Sequence, residues 1–417
     1  VAEELSRRLG TTDAVVVGLS AMIGAGVFAA FAPAAAAAGA WLPVALVLAG
    51  VVAYCNATSS ARLAALYPES GGTYVYGRRR LGPLWGYLAG WGFTVGKTAS
   101  CAAMALTFGA YVAPGLARPL AVGAVAALTA VSLYGVQRSA GVARVIVVFV
   151  LAVLVAVVVT GLIGDDTVTF GWFAHEPLPP APVDVWDVLQ GAGLLFFAFA
   201  GYARIATLGE EVRDPARTIP RAVGIALGIT FVVYALVAGA ALRALGPELL
   251  ARSPAPLADV VRAAGAQWLV PVVGAGAAVA ALGALMALLL GVSRTVLAMA
   301  RERDLPGALA AVDPARQVPR RAELAVAAAV IVLLLAADLR GAIGFSSFGV
   351  LVYYAIANAC ALTLGREEGA PPRPVAGLGL GLCVLLAATL PPVSVLAGLA
   401  VFAAGLAVWL VRHRAGR

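Results

Sequence analysis

The stretch GLSAMIGAGVF (Gly18–Phe28) sits inside the first long apolar run of the chain and sets Gly24 and Gly26 at its centre. Glycine weakens a helix interior by about 1 kcal/mol relative to alanine. Backbone released at membrane depth is tolerated only where it lines a cavity or is covered by protein. A second stretch, LLFFAFAGYARIATLGEE (Leu194–Glu211), places Gly201 in the same way inside the sixth apolar run. Taken singly, each reads equally well as close helix packing through small residues. Together they occupy the first positions of two sets of five runs. Matching interruptions in corresponding halves point to an inverted repeat with a binding site near the membrane midplane.

The composition agrees with a polytopic membrane protein. Hydrophobic residues make up 62%, charged residues 12%, and the mean hydropathy is +0.95. A soluble domain could not bury that much apolar surface. Twelve spans are expected, at 14–38, 42–65, 84–113, 119–137, 143–163, 185–208, 220–243, 267–298, 322–338, 341–363, 374–390 and 393–411. They form one transmembrane domain over residues 1–417, with repeat one at about 14–163, repeat two at about 185–363 and helices eleven and twelve at about 374–411. Arginine concentrates in alternate loops, at Arg78–Arg80, Arg213–Arg221, Arg301–Arg321 and Arg366–Arg373. Only Arg118, Arg243, Arg252, Arg262 and Arg340 fall on the other side. This bias places both termini in the cytoplasm of a bacterial-type inner (plasma) membrane. The net charge of +8 is that bias and not a nucleic-acid surface, since no basic aromatic module accompanies it. No cleavable signal peptide is visible.

Paired half-helix ends have a specific chemistry. Exposed N–H groups at a half-helix start suit a carboxylate. Free carbonyls at a half-helix end suit an ammonium. A zwitterion satisfies both.

At this point the chain resembles the amino acid–polyamine–organocation permeases. GLSAMIGAGVF is similar to their first-helix signature. YPESGGTYVYGRRRLGPLWGYLAGW (Tyr67–Trp91) is similar to their first cytoplasmic loop and the start of helix three. FFAFAGYARIATLGEEVRDPARTIPRA (Phe196–Ala222) is similar to helix six and its following loop, and SRTVLAMARERDLP (Ser293–Pro306) to the end of helix eight. The resemblance implies an all-α, LeuT-type 5+5 inverted repeat plus two C-terminal helices, transporting an amino acid or amine by alternating access. It implies that Ala21, Gly24, Ala25 and Gly26 offer backbone to a carboxylate, and Phe199, Ala200 and Gly201 to an amine. The chain departs from the family twice. Gly201 is followed by Tyr202 and Ala203, where many relatives carry an aromatic and then an acid. Lys97 stands where relatives often carry an asparagine beside the substrate, so it is expected to face the cavity.

Lys97 is the chain's one lysine, and it lies near the middle of the third run. Either helix end is roughly 20 Å away at 1.5 Å per residue, too far for the side chain to snorkel. No Asp or Glu falls centrally in any run. An unpaired buried ammonium is expensive, and the usual escape is release of its proton; an arginine would stay charged. Three roles are open to Lys97: carrier of a coupling proton, fixed cation for a substrate carboxylate, or structural group held by carbonyls and water. A sodium site needs several oxygens, and Gly283–Gly291 in the eighth run has no hydroxyl. The expected coupling ion is therefore the proton.

Glu210, Glu211, Arg213, Asp214, Arg217 and Arg221 after the sixth run read as a possible gate or as an ordinary charged loop, and Arg204, just past the interruption, as a possible gate or substrate contact. Ser346, Ser347, Tyr353 and Asn358 read as interhelical hydrogen bonds before ligands. The four cysteines fall in apolar runs and read as small buried filler. His175 and His413 lie in loops or tails, so neither a metal site nor a histidine relay is available, and no cofactor is expected. No nucleophile–base set appears, so an enzyme is disfavoured. The expected partners are lipid and a small amino acid, most simply a neutral one, with no obligate protein partner evident. Symport, exchange and facilitated diffusion stay open, and a membrane-embedded amino-acid sensor is the reading of a different class.

Overall fold

The structure is a computed structural model that describes residues 9–68, 71–134, 140–164, 183–206, 208, 212–313, 316 and 318–415. The described residues are helical, with two isolated bridges (Leu9 with Val212, Asp313 with Val318) and no strand.

The first run becomes three helices, α1 (Thr11–Met22), α2 (Gly26–Ala29) and α3 (Phe31–Ala38). Next come α4 (Leu42–Leu66), the short α5 (Thr73–Arg80), α6 (Pro83–Val112), α7 (Ala117–Leu133) and α8 (Ala140–Ile163). The sixth run forms α9 (Val185–Phe199), a 3-10 turn (Ala200–Tyr202) and α10 (Ala203–Ala206). The remainder is α11 (Pro215–Arg252), α12 (Pro256–Ala263), α13 (Val270–Arg301), α14 (Arg320–Ala336), α15 (Leu339–Leu362), α16 (Arg373–Thr389) and α17 (Pro392–Ala415).

Local chemistry fixes these boundaries. The carboxylate of Asp184 accepts from Asp187 N at 3.0 Å and that of Asp187 accepts from Asp184 N at 3.1 Å, a reciprocal box that starts α9. Asp338 caps α15 by accepting from Gly341 N at 2.8 Å. α11 opens at Asp214–Pro215 and kinks at Gly246, whose φ of 67° only glycine adopts readily. That kink explains why apolar periodicity ended the seventh span near Arg243 while the helix continues beyond it.

Nine helical segments among the described residues are long and apolar enough to cross a membrane, and Arg373–Thr389 is a shorter apolar helix. The second of the nine, Phe31–Leu66, joins the end of the first expected span to the second. Besides Arg373–Thr389, two expected spans are outside the nine. α6 is 30 residues long but carries glycines, hydroxyls and Lys97. α14 is 17 residues long and opens on Arg-Arg-Ala-Glu.

α6 runs through the interior and packs along α13 and α15, while α4 packs along α9 and α11. Gly92 and Gly96 let α15 approach closely: a Cβ on Gly349 would lie 2.8 Å from Gly92 O and 2.9 Å from Gly96 Cα. Ser100 and Ser346 meet beside this seam, Oγ to Oγ at 2.6 Å. Farther along, Asn358 Nδ2 donates to Asn56 Oδ1 at 2.6 Å, and Ser59 donates to Asn358 Oδ1 at 2.7 Å. Tyr353 accepts from Thr73 N at 3.1 Å. Three of the four polar residues of the tenth span thus make interhelical contacts, and the Ser347 hydroxyl has no hydrogen-bond partner among the described residues.

Candidate functional site

The first helix breaks at Ile23–Ala25, one residue earlier than the glycines alone suggested, and Gly26 already opens α2. Ile23 N closes α1 on Leu19 O at 2.7 Å. The amides of Gly24 and Ala25 make no hydrogen bond among the described residues. They are buried, and so are Gly26 and the whole of α2. Ala21 lies in the last turn of α1, on the side of the break that exposes carbonyls and not amides.

The sixth run narrows where the first opens. After Phe199 the backbone winds into the 3-10 turn Ala200–Tyr202 instead of unwinding. Gly201 is required there by close approach. A Cβ at this position would lie 2.4 Å from both C and O of Ala21 and 2.6 Å from Met22 N. Gly26 answers from the other side, where a Cβ would lie 2.8 Å from Ala198 Cα. The two interruptions therefore press backbone against backbone.

Lys97 reaches this junction from α6. Its side chain is buried, 7% exposed, and Nζ lies 3.5 Å from Ala200 O, a long hydrogen bond in which the ammonium donates. Tyr234 of α11, which the sequence reading did not single out, closes the opposite side. Its hydroxyl lies 2.5 Å from Met22 O and 3.1 Å from Ala198 O, so one O–H serves a carbonyl from each interrupted helix. A lone tyrosine within the apolar FVVYALVAGAAL of the seventh run was the available signal. Tyr111 of α6 donates to Phe28 O at 3.1 Å and accepts from Leu257 N at 3.1 Å, fastening α2 and α12. Ala284 of α13 lies against Gly24.

The junction brings together Gly24, Ala25 and Gly26 with Ala200, Gly201 and Lys97, as well as Ala21 and Phe199. It offers two free amides, one carbonyl held by an ammonium and two held by a phenol. Among the described residues no group of His, Cys, Asp or Glu is arranged to hold a metal, and the four cysteines are free and buried.

Arg204 is exposed on α10, while Glu210 and Glu211 lie outside the described residues, as does His175. Ion pairs form elsewhere at the arginine-rich end. Arg144 of α8 pairs with Asp13 in the first turn of α1. Arg213 N donates to Leu9 O at 2.9 Å, tying the segment before α1 to the one after α10. Arg78 of α5 bonds Asp304 at 2.8 Å and Glu302 at 3.2 Å, and Arg80 pairs with Glu368.

Comparison with known proteins gives a consistent picture. The family model described as amino acid permease matches residues 9–411. A Mycobacterium tuberculosis protein named an uncharacterized transporter is 64% identical over 417 residues, covering 99% of this chain and 93% of that protein. The cationic amino acid transporter 7, chloroplastic, of Arabidopsis thaliana is 29% identical over 397 residues, covering 88% of this chain and 68% of the relative. A branched-chain amino acid permease of Bacillus subtilis is 23% identical, covering 99% of this chain and 94% of the relative.

Proposed function

The chain belongs to the amino acid permease family, and from that premise we propose that it imports an amino acid with a neutral side chain by alternating access, coupled to a proton carried on Lys97. Its family and relatives are membrane transporters and not enzymes. The substrate side chain, the coupling and the cycle are this reading's own. So are the twelve spans, the LeuT-type 5+5 repeat, and a plasma-membrane location with both termini cytoplasmic.

One observation carries the reading. Two unpaired amides, Gly24 and Ala25, lie at a junction whose other half presents the Ala200 carbonyl to Lys97. The amides suit the substrate carboxylate and the carbonyls of the 3-10 turn suit its amine. Lys97 is the single residue of α6 among Asp, Glu, Lys, Arg and His, and it touches the turn directly, so gain or loss of its proton changes the same carbonyl that the substrate uses. A protonated Lys97 also disfavours a cationic side chain in the site by like-charge repulsion.

A second reading, exchange, is favoured by the same contact. The Lys97 ammonium occupies the carbonyl assigned to the substrate amine. If the two exclude one another, substrate binding expels a proton instead of accompanying one. Uptake into liposomes containing the purified protein, across a panel of amino acids and amines, decides. Acid-outside gradients that drive accumulation support symport, and gradients that drive expulsion support exchange. Transport of no amino acid overturns both.

A further inference from the structure

A buried carboxylate lies outside the junction. Glu323 stands in the first turn of α14 and is 5% exposed. α14 packs along α7, and α13 touches both. Ser132 of α7 faces Glu323, and Thr129 lies one turn earlier on the same helix face; both are buried. Neither carboxylate oxygen of Glu323 has a hydrogen-bond partner among the described residues, and neither does the Thr129 or the Ser132 hydroxyl. The carboxylate and the Ser132 hydroxyl facing it are thus buried with no hydrogen bond closed between them.

The charges around them are few. From α13, the exposed Arg294 acts on the carboxylate. α6 carries only Lys97, and α7 only Arg118 at its opposite end. The turn Gly307–Ala310 carries none. On the same helix Arg320 and Arg321 are exposed, with Arg321 reaching Ala308 O at 3.4 Å. A buried anion without a partner is costly. A neutral carboxyl is both donor and acceptor, and so is each hydroxyl. One proton therefore lets this group satisfy itself.

We propose that Glu323 and Ser132 form a proton-binding site that fastens α7 to α14, separate from Lys97. With the proton bound, the carboxyl is neutral and shares a hydrogen bond with the Ser132 hydroxyl. With the proton released to water, that bond is replaced by a buried charge facing Arg294, and the α7–α14 seam loosens. The sign follows: the contribution to stability is complete in acid and is lost as pH rises through the carboxyl's titration.

The test is thermal unfolding of the full-length protein in detergent, from mildly acidic to mildly alkaline pH. Wild type is expected to lose Tm as pH rises, while Glu323→Gln, neutral and the same shape, stays near the acid wild-type value throughout. An identical pH slope in wild type and Glu323→Gln overturns the proposal. So does a Tm gain on adding sodium at fixed pH and ionic strength that Glu323→Gln abolishes, since a cation would then be the ligand. Should Glu323→Gln fail to fold, Ser132→Ala serves: it removes the hydroxyl that acts on the carboxyl and is expected to move the pH at which Tm falls, and an unchanged midpoint overturns the proposal.

Discussion

Lys97 and Ala200 are 103 positions apart in sequence, yet the lysine ammonium lies 3.5 Å from the alanine carbonyl. The chain's one lysine is spent on the turn that interrupts the sixth run. This juxtaposition ties the ionisable group to the helix break, so chemistry at one changes hydrogen bonding at the other.

Replacement of Lys97 separates its roles. If Lys97 carries the coupling proton, Lys97→Gln keeps substrate exchange in liposomes and loses accumulation driven by acid outside. Lys97→Arg also fails to accumulate, because guanidinium holds its proton. If Lys97 anchors substrate, the Arg variant retains part of the gradient-driven uptake and the Gln variant loses binding. Normal proton-driven accumulation by Lys97→Gln eliminates the carrier role.

Gly201→Ala is expected to be destabilising beyond the usual effect of adding a methyl group. The new Cβ would meet the Ala21 carbonyl at 2.4 Å, and the obstacle is backbone. Overpacking of this kind costs about 1–3 kcal/mol. Gly224→Ala is the control, since nothing lies within 4 Å of a Cβ there. Comparison of the two melting temperatures decides, and equal values would mean that the interrupted helices are not held in contact.

Tyr234→Phe removes one O–H from two carbonyls and leaves the ring packed on Phe199 at 5.0 Å between centroids. Loss of one such bond costs about 1 kcal/mol, so the protein should fold with a modestly lower Tm. Uptake should fall more than stability, through freer movement of α1 against α9. Unchanged transport kinetics would restrict Tyr234 to packing.

The Asp13–Arg144 pair is expected to open and close during transport, because it joins the first turn of α1 to α8 beside the interrupted helix. A short reversible cross-link between Asp13→Cys and Arg144→Cys should stop uptake, and reduction should restore it. Full activity with the link in place would show that these ends stay together throughout the cycle.

Acid should release the contact between α5 and the segment after α15. The Arg80 side chain and the Gly365 amide hold the Glu368 carboxyl below its ordinary range. Its contribution is therefore present above the usual carboxylate range and lost as pH falls through the lowered value. The difference in Tm between wild type and Glu368→Gln should be constant near neutrality and vanish in strong acid. A difference that persists there would assign the effect to shape and not charge.

The sequence by itself determined that the chain is helical and membrane-embedded, because 62% apolar residues in long runs leave no soluble alternative. It also located both interruptions to within a residue or two, since glycine at the centre of an apolar run is a local signal. That Lys97 has no acid beside it in any run was legible because a count of acids along the runs needs no coordinates. Only the tertiary structure decided how the interruptions differ. Gly201 tightens a turn against Ala21, whereas Ile23–Ala25 opens the backbone, and that distinction depends on which neighbour presses on each glycine. Tyr234 and Glu323 escaped the sequence reading for the same reason. A tyrosine in an apolar run and a glutamate at a span end acquire meaning from groups on other helices, such as Met22 and Ser132, far away in sequence. Local periodicity records which face of a helix is apolar and leaves out which distant hydroxyl or carbonyl that face will meet.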